Sequence, residues 1–402
     1  MIKIQDIATL SNGINFGKSA YTSGIKLIGV SDFKDRMYPD YNSLQEVDAK
    51  IVRENDFLHK GDIVFVRSNG NKELVGRCMM INQDIPVTFS GFCIRLRLNN
   101  TQLYNPTFFT YLFKSNGFRK AIAGTAVGAN IQNLSQGRLG NYEFECPNIE
   151  TQNRIATTLS RYDSLIENYQ KQIKLLEEAA QRLYKEWFVN LRFPGHENTK
   201  IVDGVPEGWE KKKLSETCSL ISSGSTPSRR NASYWNNGII KWVKTKELQD
   251  SWILDTEEHI TKEGLEGSST KMFPVNTILM AIYASPTLGR LGVLATECCC
   301  NQAALGFVTD NSIVSWQWLY MKLFELRCEF NAVARGAGQQ NISGVVVKEW
   351  EIVVPNKDMI NRFTKLIAPI FENKKSLSIQ LRLLTESRDR LLPKLLSGEI
   401  EV

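Results

Sequence analysis

The chain has 402 residues, 42% of them hydrophobic and 23% charged, with 49 Lys plus Arg against 43 Asp plus Glu and a formal charge of +6. That length exceeds what one core usually organises, and that composition excludes a disordered or collagenous chain. The charge permits an anionic partner without requiring one. The first residues lack the basic-then-apolar pattern of a signal peptide and no apolar run approaches the roughly 20 residues of a bilayer span, so a cytoplasmic protein is expected.

In chain order, β-rich runs come first: 63–66 (Ile-Val-Phe-Val) and 92–98 (Phe-Cys-Ile-Arg-Leu-Arg-Leu). A helical stretch at 108–119 precedes a glycine loop from Gly124 to Ile131, and a strand ends at Pro147. Next, Ile155, Leu159, Tyr162, Ile166, Tyr169, Ile173, Leu176, Ala180, Leu183 and Trp187 alternate steps of four and three, the seam of a long helix that pairs with another. Proline and glycine then punctuate 193–208, which reads as a linker. Beyond it the series begins again, with strands at 239–243 and 277–283, a helix at 316–330, a glycine loop at 336–342 and a strand ending at Pro355.

The matches are weak singly but fall in one order, so the chain reads as an internal repeat. Asn130-Ile131 aligns with Asn341-Ile342, and Gly76-Arg77 with Gly289-Arg290. A second seam comprises Phe363, Ile367, Ile370, Lys374, Leu377, Leu381, Leu384, Arg388, Leu391 and Leu395. Lys374 and Arg388 stand there as register-setting or solvent-reaching exceptions; the seam does not tell parallel from antiparallel pairing. The expected organisation is an α+β domain used twice: domain one at 1–149, a helix at 150–192, a linker at 193–208, domain two at 209–357 and a C-terminal helix at 358–402.

Catalytic constellations fail one by one. Asn105-Pro106-Thr107-Phe108 resembles the box with which amino-methyltransferases hold a flipped base, but reads better as a helix start with proline preset for the first turn. Pro39-Asp40 with Asp48-Ala49-Lys50 imitates a nuclease carboxylate set without the flanking apolar strands that would aim it at a metal. No phosphate loop of an ATP-driven motor is present. The eight cysteines form no CxxC pair; in a strand, Cys298, Cys299 and Cys300 face alternate sides and read as buried small hydrophobes. No catalytic or metal residue is assigned.

What remains is polar surface. Residues 1–149 carry 17 Lys plus Arg against 13 Asp plus Glu, and residues 193–357 carry 17 against 18, so there is no uniform basic coat. Local clusters supply the candidate DNA-facing groups: Arg67, Asn69, Lys72 and Arg77 in the first copy, and Arg229, Arg230, Lys244, Lys246 and Arg290 in the second. These residue types grip phosphates or pair bidentately with base edges. Two similar domains carrying different polar loops on a rigid spacer suit a bipartite site with two different halves.

Gln152-Asn153-Arg154-Ile155, the run from Trp187 to His196 and Val205-Pro206-Glu207-Gly208-Trp209 resemble the type I restriction-modification specificity subunit, over essentially the full chain. That resemblance implies two target-recognition domains separated by an antiparallel coiled coil and no active site on this subunit. It also implies assembly with two methyltransferase subunits, which use S-adenosylmethionine to methylate adenine, and with restriction subunits, which use ATP and Mg to cleave. The rival readings are a coiled-coil scaffold that binds only proteins and a self-sufficient DNA methyltransferase or nuclease.

Overall fold

The computed structural model describes every residue except 35, 72–73, 124–132, 284–286, 335–340 and 402. Lys72 and most of both glycine loops therefore lie outside the described residues. The chain forms two compact units, 1–167 with 383–402, and 168–382.

In the N-terminal unit, a four-stranded antiparallel sheet has the order Ala8–Asn12, Cys93–Leu98, Ile63–Val66 and Cys78–Met80, with Ile63 opposite Leu96 and Phe65 opposite Ile94. Ile63–Val66 is apolar at every position because the sheet is covered on both faces. Its alternate side chains enter two different cores. Ile63 and Phe65 pack with Phe108, Phe109 and Phe113 of the helix Pro106–Lys114, while Val64 and Val66 pack with Ile28, Val87 and Phe89 of a three-stranded sheet. That second sheet has the order Gln45–Val47, Tyr21–Ile28, Val87–Phe89, with its last two strands parallel.

The 168–382 unit repeats this plan strand for strand. Cys218–Ser223, Ala304–Thr309, Ile278–Ala281 and Leu291–Leu294 take the places of the four strands, and Ser251–Ile253 adds a fifth, parallel to the last. Glu258–Ile260, Ile240–Val243 and Cys299–Cys300 form the second sheet. Ile278 and Met280 face the helix Trp316–Glu325, and Leu279 and Ala281 face the other way. Cys298 and Cys300 join the core containing Leu279, whereas Cys299 points to the opposite side against Trp242 and Ile260, as consecutive strand residues must. Burial pushes the Cys299 and Cys300 thiols up to about 12, so both stay protonated and apolar in character.

A glycine marks the same crossing in both copies. A Cβ on Gly13 would lie 2.2 Å from the Phe89 carbonyl oxygen, and one on Gly224 would lie 1.9 Å from that of Cys300. Only glycine lets the first strand of each domain pass so close to the second sheet.

Helices Ile149–Tyr184 and Lys357–Leu396 carry the two seams, every position of which is buried or half-buried while Arg161, Glu178 and Glu372 between them are exposed. In the N-terminal unit, Ile155 and Leu159 share a core with Leu395, and Arg388 pairs with Asp163 at 2.7 Å. In the other unit, Tyr184 and Trp187 pack on Phe363, and Lys374 pairs with Glu177 at 2.7 Å. Within each unit one helix climbs as the other descends, so the pairing is antiparallel. Both polar seam positions are ion-paired across the helices.

The stretch 193–208, expected as a linker, is folded. Phe193 and Trp209 are buried in the 168–382 core, Ile201–Val202 pairs with Val205–Pro206 in a small hairpin, and Phe193 lies 5.0 Å from Trp209 between ring centroids. Proline and glycine shape this turn rather than loosen it, because aromatic anchors bracket it.

Candidate nucleic-acid interface

In each domain a hairpin between two strands of the larger sheet carries sequence-predicted residues at its root. In the N-terminal unit, strand Ile63–Val66 runs out into Arg67, Ser68 and Asn69 and returns through Gly76 and Arg77 into Cys78–Met80. Gly76 adopts φ +80, and the turn closes with Gly76 N–H donating to the Val66 carbonyl (2.9 Å) and Val66 N–H donating to that of Arg77 (2.8 Å). The 168–382 unit repeats the closure: Gly289 at φ +77 donates to Ala281 (2.8 Å), which donates to Arg290 (2.9 Å). Arg77 and Arg290 are thus structural counterparts, both half-buried at the root of the hairpin. The Nε of Arg77 is buried and has no hydrogen-bond partner among the described residues.

A second chain segment is stitched to each hairpin. Arg67 N–H donates to the Phe92 carbonyl (2.8 Å), Leu134 N–H donates to the Arg67 carbonyl (2.9 Å), and Ser68 forms an isolated bridge with Asn133. Likewise Ile282 N–H donates to the Ala303 carbonyl (2.9 Å), Ile342 N–H donates to that of Ile282 (3.0 Å), and Tyr283 bridges Asn341. The counterpart of Asn341-Ile342 is therefore Asn133-Leu134, three residues beyond the alignment read from sequence. Spacing to the following helix explains it: Ser135 caps Gln136–Gly140 as Ser343 caps Gly344–Lys348. Arg67 also donates to the Gly91 carbonyl at 3.3 Å, and Asn69 accepts from Asn71 N–H at 2.8 Å, so both side chains help to shape the loop.

The remaining candidates gather elsewhere, around a pair of carboxylates. Arg229 lies 3.6 Å above the Trp235 ring and 5.1 Å from that of Trp242, and donates to Glu258 at 2.5 Å. Lys244 bridges Glu257 (3.0 Å) and Glu258 (2.9 Å), and Lys246 reaches Glu257 at 2.6 Å. Hydrogen bonds from Lys246 and Lys244 hold the Glu257 carboxyl below its ordinary range; those that Lys244 donates to Glu258 and Glu257 raise its ammonium. Arg229, Lys244 and Lys246 are consequently not a free basic patch, and Arg230 beside them is exposed. Sequence inspection missed the two glutamates because they lie far along the chain from the cations they neutralise.

Two inward arginines account for further apparent charge. Arg97 makes a bidentate pair with buried Asp62 (2.7 and 2.6 Å), and Arg95 donates to the Asn55 carbonyl at 2.9 Å.

The suspected catalytic sets are spent on structure. Asn105 accepts from the N–H groups of Thr107 and Phe108 as a helix cap, Asp40 pairs with Arg36, and Asp48 caps the turn Ala49–Ile51. A cavity of about 500 Å³ in the N-terminal unit is lined by Tyr111, Asp163 and Arg388, whose polar groups are engaged with one another. Among the described residues no cluster of His, Cys, Asp and Glu could hold a metal ion, and no helix is long and apolar enough to cross a membrane.

The family model for the type I restriction modification DNA specificity domain matches residues 1–178 and 206–382, one match to each copy of the repeat. The chain belongs to this specificity family. It is 28% identical over 300 residues to the MjaIX specificity subunit of Methanocaldococcus jannaschii, covering 73% of this chain and 68% of the relative. It is 25% identical over 410 residues to the HindI specificity subunit of Haemophilus influenzae, covering 85% and 87%. The crystal structure of the type I S subunit from M. genitalium shares the fold, with a TM-score of 0.63 at 16% identity over 98% of this chain and 94% of that one. This specificity subunit is thus a two-domain α+β protein with long helices.

Proposed function

We propose that this specificity subunit reads a bipartite double-stranded DNA site, residues 1–149 reading one half and 209–357 the other, with the paired helices setting the spacing between halves. The observation that carries the reading is the duplicated hairpin: the same closing hydrogen bonds recur in both copies, yet the segment that leaves the strand carries Arg67, Ser68 and Asn69 in one and the exposed Tyr283 in the other. An invariant frame with different side chains is what reading two unlike half-sequences requires. The candidate contacts remain Arg67, Asn69, Lys72, Arg77, Arg229, Arg230, Lys244, Lys246 and Arg290.

In this reading the chain is non-catalytic and cytoplasmic. Two methyltransferase subunits bring S-adenosylmethionine and methylate adenine, and restriction subunits bring ATP and Mg and cleave.

Mapping of methylated adenines in DNA from cells producing the methyltransferase subunits, with and without this chain, tests the proposal. The expected result is a two-part methylated motif that requires this chain. Alanine at Arg77 is expected to relax only one half of that motif, and alanine at Arg290 only the other, each at about 1–3 kcal/mol of discrimination if the guanidinium pairs with a base. Unaltered methylation in the absence of this chain refutes the proposal.

A further inference from the structure

We infer that Phe92 and Tyr283 are the aromatic base-contacting groups of the two half-sites, an assignment that rests on the DNA-reading function proposed above. Phe92 is 63% exposed at the turn between Val87–Phe89 and Cys93–Leu98, and it belongs to none of the cores. Its carbonyl accepts from both Arg67 N–H (2.8 Å) and Ser68 N–H (3.3 Å), so its backbone is held beside the polar hairpin. Tyr283 is 39% exposed and occupies the place of Ser68 in the second copy, where the counterpart of Phe92 is Ala303.

Single exposed apolar side chains are ordinary on a protein surface. Here, however, the two domains keep a ring on the same rim while supplying it from opposite sides of one hydrogen-bonded pair of segments. The first copy supplies it from the turn, where Ser68 stands at the place of Tyr283, and the second from the hairpin, where Ala303 stands at the place of Phe92. Packing within the domain does not require this, since the neighbouring cores are complete without either ring. A flat apolar group beside arginine suits a thymine methyl in the major groove or a wedge at a base step. Such a contact adds discrimination without adding charge, which matters in a domain whose cations are largely paired with carboxylates.

The test uses the full chain assembled with its methyltransferase subunits, and a labelled duplex carrying the site selected by the unmodified complex from random DNA. Phe92→Ala and Tyr283→Ala are each expected to weaken binding to that duplex roughly ten-fold, the scale of one lost base–aromatic contact. Affinity for an unrelated duplex and the salt dependence of binding should stay unchanged, because no phosphate contact is removed. Tyr283→Phe, which keeps the ring, and Leu103→Ala, at a 55% exposed residue outside both hairpins, should bind like the unmodified chain. Alanine variants that bind the selected duplex normally overturn the assignment, as do variants that lose selected and unrelated duplexes alike. If the unmodified complex selects no sequence at all, the DNA-reading function itself falls, which is a distinct result.

Discussion

The ion pair between the two long helices in the 168–382 unit makes an asymmetric prediction. Lys374 occupies a seam position, its side chain 4% exposed, and its Nζ sits 2.7 Å from Glu177 Oε1, whose side chain is 33% exposed. Removing either partner breaks the same contact, but the charge left behind differs. In Glu177→Ala the ammonium, buried beside Phe371, is left without its carboxylate, and a stranded buried charge costs about 3–5 kcal/mol. In Lys374→Met the stranded carboxylate is already one-third exposed and rehydrates, while the thioether fills a heptad position built for an apolar side chain; this change is expected to lie within about 1 kcal/mol of neutral. For a unit of this size about 3 kcal/mol corresponds to a drop of roughly 6–12 °C in Tm. Thermal unfolding of both variants and of the double variant, followed by far-ultraviolet circular dichroism, decides the matter. The double variant should recover most of what Glu177→Ala loses. Equal losses in the two single variants would refute the argument that burial of the ammonium, and not the contact itself, sets the energy.

Further outcomes follow from the same geometry. Gly13→Ala and Gly224→Ala drive a Cβ into backbone carbonyls and should each destabilise by more than about 2 kcal/mol, whereas Gly70→Ala, with nothing within 4 Å, should be near neutral in the same melting experiment. Asp62→Asn should cost about 2–4 kcal/mol by leaving Arg97 without its bidentate partner, measured by urea unfolding. Thiol labelling of the native chain at pH 8 should modify exposed Cys328 first and leave Cys93 and Cys300 unreacted until unfolding, since burial raises both to about 12. The carboxyl of Glu257 is lowered in the folded chain, so its contribution to stability is present above its ordinary pKa of 4.5 and is lost as pH falls through its folded value; Glu257→Gln should flatten that part of the acid limb.

How much of this was legible in the sequence depended on the range over which each signal acts. Helix seams repeat every three or four residues, so Ile155 through Trp187 and Phe363 through Leu395 announced their buried face locally, including the two polar exceptions that prove to be ion-paired. The duplicated domain was legible too, because strand and turn signals recur in the same order. Register within it was not: Asn130 and Asn133 both precede a β-branched or leucine side chain, and only the hydrogen bonds to Arg67 and the Ser135 cap distinguish them. The linker was misread for a related reason, since proline and glycine signal a turn whether or not flanking rings such as Phe193 and Trp209 bury it.

The candidate site was least legible, because electrostatics is decided by groups remote in sequence. Arg229 meets a carboxylate 29 residues away and Lys244 one 14 residues away, so a local count of cations overstated the positive charge available to DNA. That pairing changes what the second domain can do. Surface ion pairs hold their cations weakly and are screened by salt, so a phosphate approaching Lys246 competes with Glu257 rather than meeting a free ammonium. Binding by this domain should accordingly gain less from low salt than its lysine content suggests. Its discrimination is then expected to draw on uncharged groups and on arginines placed away from the two glutamates, Arg290 at the hairpin closure among them.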